Sequence, residues 1–403
     1  MRIAFFSEVF LPKIDGVVNT LCRLLEHLSR LGHPTLLITT CYNDHPSSRQ
    51  GNHPPPTSRK VPENVEIIRV PGIRFPLYPE VRLAPPWLGL HPALERFQPD
   101  LIHTVNPVAL GIGGVWYARQ RGIPLVASYQ TDLPGYAVHY GFGFANRFIW
   151  AFLRSLHNQA HLNLAPSEYT RKELQANNFR RVKVWSRGVD TELFHPAKRD
   201  DSMRARLSGG VVDEPLLLFV GRLSSEKRIH WLRSVLLSHP QARLAIVGDG
   251  PQRLELENAF SGLNVQFTGF LQGDELAKAY ASSDIFVFPS ANETFGNVVL
   301  EAMASGLPVV VPNSGGVVDF VNHEKNGLIF YSESQDSLVE QTGRLISQVE
   351  LRHRVAAQAR SYAEVRNWSA ILTQLVNDYE RTIRLARRSN QARKIRKAFG
   401  SST

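Results

Sequence analysis

The sequence predicts an α/β protein built from two doubly wound, parallel-sheet domains, and three observations carry that expectation. At 403 residues the chain exceeds the ~250 to 300 residues at which a single hydrophobic core stops growing. Short apolar runs alternate with amphipathic stretches of helical period, the order that places parallel strands beneath covering helices. The alternation breaks off once, around residue 188, and then starts again.

RIAFFS opens the chain as a strand, and GVVNTLCRLLEHLSRLGH follows as a helix with Leu21, Leu24, Leu25 and Leu28 on one face. PTLLITT is the next strand, which completes a βαβ unit. Residues 43 to 60, NDHPSSRQGNHPPPTSRK, are rich in Pro, Ser and charge and read as a disordered loop. VEIIRVP, DLIHTV, PLVASYQ and AHLNLAPS continue as buried strands, with PVALGIGGVWYARQRG and SEYTRKELQANN as helices between them. WSRGVDTELFHP reads as a connector. After it, PLLLFVG, RLAIVGDG, NVQFTGF, DIFVFPS, LPVVVP and NGLIF supply the second set of strands. The expected domains are 1–188, 189–370, and a segment 371–403 that forms a C-terminal helix packing back towards the first domain and ends in a basic tail.

Composition narrows the class. A hydrophobic content of 43% with 20% charged residues suits a soluble globular protein, and no run approaches the ~20 apolar residues of a membrane span. MRIAFFSEVFLP has Glu8 and Pro12 where a signal peptide would stay apolar, so a cytoplasmic location is expected. Cys22 and Cys41 are too few for a disulfide framework. The net charge of +10 is concentrated in residues 381 to 397, which hold eight basic side chains and no acid. That segment suits an anionic lipid surface or RNA, and a solvated terminus would look the same. Residues 140 to 159 carry Phe142, Phe144, Phe148, Trp150 and Phe152 beside Arg147 and Arg154, a composition that fits a lipid interface as well as a core helix.

In open α/β sheets ligands bind beyond the carboxyl ends of the strands, so the residues that follow strands hold the candidate chemistry. In ETFGNVVLEAMASGLPVVV, residues 293 to 311, a helix starting near Phe295 or Gly296 would leave the amides of Gly296, Asn297 and Val298 as first-turn donors, which suits a phosphate. Glu293 lies before that helix and Glu301 about a turn and a half inside it, at about 3.6 residues per turn. Carboxylates would repel the phosphate, so sugar and ribose hydroxyls are their expected partners. A lone pair of glutamates at this spacing is equally a solvated helix face. In FVGRLSSEK, Arg222 and Lys227 follow a strand and provide the two cations a diphosphate needs. Gly248 in VGDGP permits close backbone approach or serves a tight turn. In the first domain, Gly16 of LPKIDGVVNT stands where a second helix would begin. No G-x-G-x-x-G follows a strand, no D-x-D occurs, and His103, His139 and His161 are scattered, so neither a nicotinamide cofactor nor a divalent metal is indicated.

Together, the DG-x2-N helix start, GRL-x2-EK, VGDGP and E-x7-E, spread over two α/β halves, resemble glycosyltransferase family 4. These are retaining enzymes of the GT-B fold, in which two Rossmann-like domains face across a cleft. PLYPE, HTVNP, SYQTDLPGYAVHYG, HNQAHLNLAPS, RGVDTELF and MRARLS are similar to the sulfoquinovosyl-diacylglycerol synthases of that family, and YQTD also to actinobacterial diacylglycerol mannosyltransferases. The resemblance implies a UDP-sugar donor, diacylglycerol as acceptor, no cofactor, no nucleic acid and a peripheral place at the membrane. It assigns Glu293 to the donor sugar, Glu301 to the ribose, and Arg222 and Lys227 to the diphosphate, with help from Gly16, Gly248 and the Phe295, Gly296, Asn297 and Val298 turn. Where many members carry a histidine this chain has Gln130, followed by Asp132. These two, with Glu293, are the expected catalytic positions. By that resemblance UDP-sulfoquinovose is the leading donor, and a neutral hexose donor, UDP-glucose, UDP-galactose or GDP-mannose, is the alternative, because an Asp132 facing the sugar would repel a sulfonate.

Overall fold

In the first half of the chain the strands of a seven-stranded sheet are all parallel, and its runs IAFFS, TLLITT, LIHTV and LVAS are buried at every residue, as apolar runs between amphipathic helices demand. The structure, a computed structural model, describes residues 1–13, 15–41, 61–75, 78–86, 89–139, 141–290 and 292–399, with backbone alone at 74–75, 78–81, 136, 139 and 390–399. The loop expected at 43 to 60 lies outside the described residues.

The chain divides into two compact units, one of residues 1–166, 171–185 and 369–403, the other of 167–170 and 186–368. In the first, β1 (Ile3–Ser7), α1 (Gly16–Arg30) and β2 (Thr35–Thr40) form the opening βαβ unit, and β3 (Val65–Val70) extends the sheet. β4 (Ile73–Phe75) and β5 (Tyr78–Leu83) make a separate antiparallel pair, and α2 (His91–Phe97) precedes β6 (Leu101–Val105). Then follow α3 (Leu110–Arg121), β7 (Leu125–Ser128), α4 (Leu133–His139), α5 (Asn146–His157), β8 (Leu162–Ala165), α6 (Glu168–Ala176) and β9 (Val182–Val184). The strand order β3-β2-β1-β6-β7-β8-β9 reverses direction beside β1, the switch point at which such sheets bind ligands. Ala4, Phe6, Leu36, Ile38, Ile102 and Leu110 anchor its core.

In the second unit, α7 (Asp201–Ser208) leads into β10 (Leu216–Val220), α8 (Leu232–Ser238), β11 (Arg243–Val247), α9 (Arg253–Ala259) and β12 (Val265–Gly269). The chain continues through α10 (Gly273–Ala281), β13 (Ile285–Val287), α11 (Asn297–Ala304), β14 (Val309–Pro312) and β15 (Leu328–Phe330). α12 (Gln335–Ser347) and α13 (Val349–Glu364) close the unit. Its sheet is again parallel throughout, in the order β12-β11-β10-β13-β14-β15, with a switch point between β10 and β13.

The final helix, α14 (Trp368–Phe399), belongs from Ser369 onward to the first unit. Leu372, Leu375, Val376, Tyr379, Ile383 and Ala386 are its buried hydrophobic residues among those described, spaced three or four apart as one helix face requires. The Tyr379 hydroxyl hydrogen-bonds His103 Nδ1 at 2.7 Å, and Lys183 pairs with Asp378 at 2.6 Å. The basic segment from residue 381 is thus a continuation of a packed helix through Ala386, and its side chains beyond residue 389 lie outside the described residues.

Candidate active site

The carboxyl edge of the second sheet gathers the residues the sequence singled out there. β10 runs straight into Gly221 and Arg222, β11 into Gly248, and β13 into the turn that carries Glu293. Lys227 Nζ lies 2.7 Å from Glu293 Oε2, with both side chains only partly exposed, and the ammonium also sits 5.7 Å from the centre of the Phe288 ring. The pair therefore places a cation directly beside an acceptor on this sheet edge. Arg222 is partly buried, and that burial lowers its guanidinium pKa, while Glu226 nearby opposes the shift. Glu226 is itself buried and takes a hydrogen bond from Ser224.

The turn at the head of α11 is built on close backbone approach. Gly296 has φ 96° and caps the helix without any side-chain hydrogen bond, and a Cβ there would lie 2.6 Å from Val317 Cγ1. The helix begins at Asn297, one or two residues later than expected. Gly316 packs so tightly that its Cβ would meet the Thr294 carbonyl at 2.3 Å, and its amide donates to the Glu293 carbonyl at 2.6 Å. The Ser314–Gly316 turn after β14 is thus part of the same rim. Its signal in the sequence was the S-G-G that follows a strand. Phe295 is buried and stacks on Phe320, with ring centres 5.1 Å apart. Val298 packs against the core of the unit. Glu301 accepts a hydrogen bond from the Tyr280 hydroxyl at 3.1 Å, a partner that no local pattern announced. Gly248 has φ 138°, and a Cβ there would fall 1.9 Å from the Gly221 carbonyl, so the close approach it permits is to the loop bearing Arg222.

The carboxyl edge of the first sheet carries the other three candidates. Gly16 is exposed at the start of α1, where Asp15 caps the helix by accepting from the Val18 amide at 2.8 Å. The Asp15 side chain is also 3.3 Å from Lys13. Gln130 and Thr131 both donate their amides to Asn106 Oδ1, at 2.6 and 3.2 Å, and Asn106 Nδ2 donates to Thr131 Oγ1 at 2.8 Å. Asn106, in the left-handed region at φ 52°, is the brace of this loop. Asp132 accepts from the Gly135 amide at 3.0 Å and from the Tyr129 hydroxyl at 3.1 Å, so it caps α4. Burial raises its pKa, against the pull of those two donors. On α6, burial and the nearby Asp132 charge push Glu173 to about 7.

His103 is buried within its sheet, and desolvation lowers its pKa to about 3, which keeps it neutral. Glu8, just past β1, is buried and accepts the amides of Ala109 at 2.9 Å, Leu110, and Gly111 at 3.4 Å, the first turn of α3. Among the described residues no three of His, Cys, Asp and Glu stand together as a metal site would need. No helix among them is long and apolar enough to cross a membrane.

Two family models match the chain: Glycosyltransferase Family 4 over residues 14–193 and Glycosyl transferases group 1 over residues 206–362. A GDP-mannose-dependent alpha-mannosyltransferase of Mycobacterium tuberculosis is 39% identical over 97% of this chain and 99% of its own. The sulfoquinovosyl transferase SQD2 of Arabidopsis thaliana is 36% identical over 94% of this chain and 73% of its own. Among solved structures, sucrose-phosphate synthase from Thermosynechococcus elongatus superposes with a TM-score of 0.76 at 23% identity, over 94% of this chain and 98% of that one, a likeness of fold. With relatives above a third identical over at least 94% of this chain, family models matching both halves and a GT-B likeness of fold, the chain belongs to the GT-B glycosyltransferases of family 4.

Proposed function

We propose that this glycosyltransferase moves a sugar from a nucleotide diphosphate donor to diacylglycerol, with UDP-sulfoquinovose as the leading donor. The observation that carries the donor half is the Lys227–Glu293 pair at the head of α11, 2.7 Å apart on the same sheet edge as Arg222. Arg222, Lys227 and the helix end, with its Gly296 turn, suit a diphosphate. Glu293 suits a sugar hydroxyl and Glu301 the ribose. The sulfoquinovose donor is supported by the relative named as a sulfoquinovosyl transferase, and the lipid acceptor by a relative of Streptococcus pneumoniae named as an alpha-monoglucosyldiacylglycerol synthase, 29% identical over 83% of this chain and 76% of its own. The 39% identity to a GDP-mannose-dependent enzyme supports a second reading, a neutral hexose donor to the same class of acceptor.

The transfer is of the retaining type. The bond from the sugar's anomeric carbon to the leaving phosphate oxygen breaks, a bond to the acceptor hydroxyl oxygen forms on the same face, and the departing phosphate takes the hydroxyl proton. The protein positions both partners and stabilises the charge that develops. Arg222 and Lys227 neutralise that charge without a divalent metal. Asp132, already accepting two hydrogen bonds at the α4 cap, orients the Gln130 loop.

A peripheral place on the membrane is part of this reading, supported by α5 and the turn before it. Phe144 and Phe148 are 80% and 75% exposed, with Arg147 between them in sequence. Aromatic rings beside a basic residue suit an interface with anionic lipid. Incubating the protein with UDP-sulfoquinovose, UDP-glucose, UDP-galactose and GDP-mannose and diacylglycerol vesicles, then reading products by mass spectrometry, tests the whole reading. Salt-sensitive RNA binding with no affinity for any of the four donors would overturn it.

A further inference from the structure

We propose that Tyr280 is a positioning residue for ribose recognition: its hydroxyl fixes the Glu301 carboxylate in the orientation that receives the hydroxyls of the donor's ribose. This rests on the donor reading above. Tyr280 sits at the end of α10 and is fully buried, its ring edge-on to Phe194 at 5.6 Å and tilted against Phe286 at 5.7 Å. Those contacts hold the ring, and therefore the hydroxyl, in place.

The hydroxyl lies 3.1 Å from Glu301 Oε2. Burial, with the Glu301 charge beside it, raises the phenol's pKa well above its ordinary value, so it keeps its proton and donates it to the carboxylate as a hydrogen bond. Glu301 is half-buried on the second turn of α11. A glutamate side chain on a helix has three torsions and several allowed rotamers, so a carboxylate without this donor meets a vicinal diol in several orientations. One hydrogen bond from a rigid donor removes most of that freedom while a carboxylate retains further lone pairs for a diol. Tyr280 touches no ligand in this account and acts through Glu301.

The test compares UDP and GDP with their 2′-deoxy and 3′-deoxy forms by calorimetry, on the wild type, Tyr280→Phe, Glu301→Ala and the double variant. Phenylalanine keeps the ring and its packing, and thermal melting verifies that each variant is folded. The wild type is expected to prefer the ribonucleotide, and Glu301→Ala to abolish the preference. Tyr280→Phe is expected to shrink it at least about tenfold, the scale of a hydrogen bond to a charged group, while affinity for the deoxy forms stays within about twofold. The double variant should match Glu301→Ala. A Tyr280→Phe protein with lowered melting temperature and an undiminished ribose preference would make the pair a brace between two helices and overturn the inference, leaving the donor reading intact. No binding of either ribonucleotide, or a preference untouched by Glu301→Ala, would overturn the donor reading and this inference with it.

Discussion

Replacing Glu8 with Gln separates two forces that act on one carboxyl group. The first-turn amides of α3 stabilise its charged form, as a helix N-terminus does, while burial favours the neutral form. Burial prevails, and the side chain is raised from its ordinary 4.5 to about 7. Because the folded state holds the proton more tightly than the unfolded chain, the contribution of Glu8 to stability is present in full below about pH 4.5. It declines as pH rises and is lost above about 7. At roughly 1.4 kcal/mol per pH unit, the separation amounts to ~3 kcal/mol. Glutamine keeps an acceptor oxygen for the amides and does not titrate. Urea unfolding, followed by the fluorescence of Trp116, Trp150 and Trp185, should therefore show the wild type losing ~3 kcal/mol relative to Glu8→Gln between pH 4.5 and 7.5. A difference that stays flat within ~0.5 kcal/mol, or that grows in favour of the wild type as pH rises, would mean the helix end outweighs burial and would refute the reasoning.

Four further outcomes are expected. Lys227→Ala should cut kcat/KM for the nucleotide-sugar donor by about 10- to 100-fold, the worth of one charge-assisted hydrogen bond, as measured by initial rates over a donor titration. Gly296→Ala, forced against Val317 in a left-handed conformation, should cost about 1 to 3 kcal/mol in thermal or urea unfolding and weaken donor binding. Phe144→Ser with Phe148→Ser should abolish co-sedimentation with anionic vesicles while calorimetric donor affinity is unchanged. Ending the chain after residue 389, which keeps the buried Ile383 and Ala386, should weaken vesicle binding in proportion to the charges removed and leave the melting temperature in place, whereas ending it at 380 should lower both.

What the sequence disclosed was whatever repeats locally. Leu21, Leu24, Leu25 and Leu28 mark a helix face by spacing alone, and the strands β6 to β8 and β10 to β15 announce themselves as apolar runs, whereas β9, a half-buried VKV, carries no such run and was not read. The candidate rim residues were legible for the same reason, since residues that follow buried strands must fall on one edge of a parallel sheet. The choices of partner were hidden. Nothing near Glu301 in the sequence points to Tyr280, Asn106 lies 24 positions from the Gln130 amide that it accepts, and Glu293 lies 66 positions from Lys227. The β4–β5 pair went unseen because GIRFPLYPEVRL is broken by prolines that normally demote a strand. In α14 the charge run masked a helical spacing of buried residues that continues through Ala386.

The passage of the chain out of one unit and back bears on how the protein is made. Residues 186–368 hold nearly everything their sheet requires, so that half can mature while translation is still under way. The other half cannot: Tyr379, which closes over His103, and Ile383 emerge from the ribosome nearly 200 residues after β9, the last strand of that sheet, ends at Val184. Until then the sheet that opens the protein waits without its final helix, and a nascent chain arrested before α14 should expose that seam to chaperones and proteases.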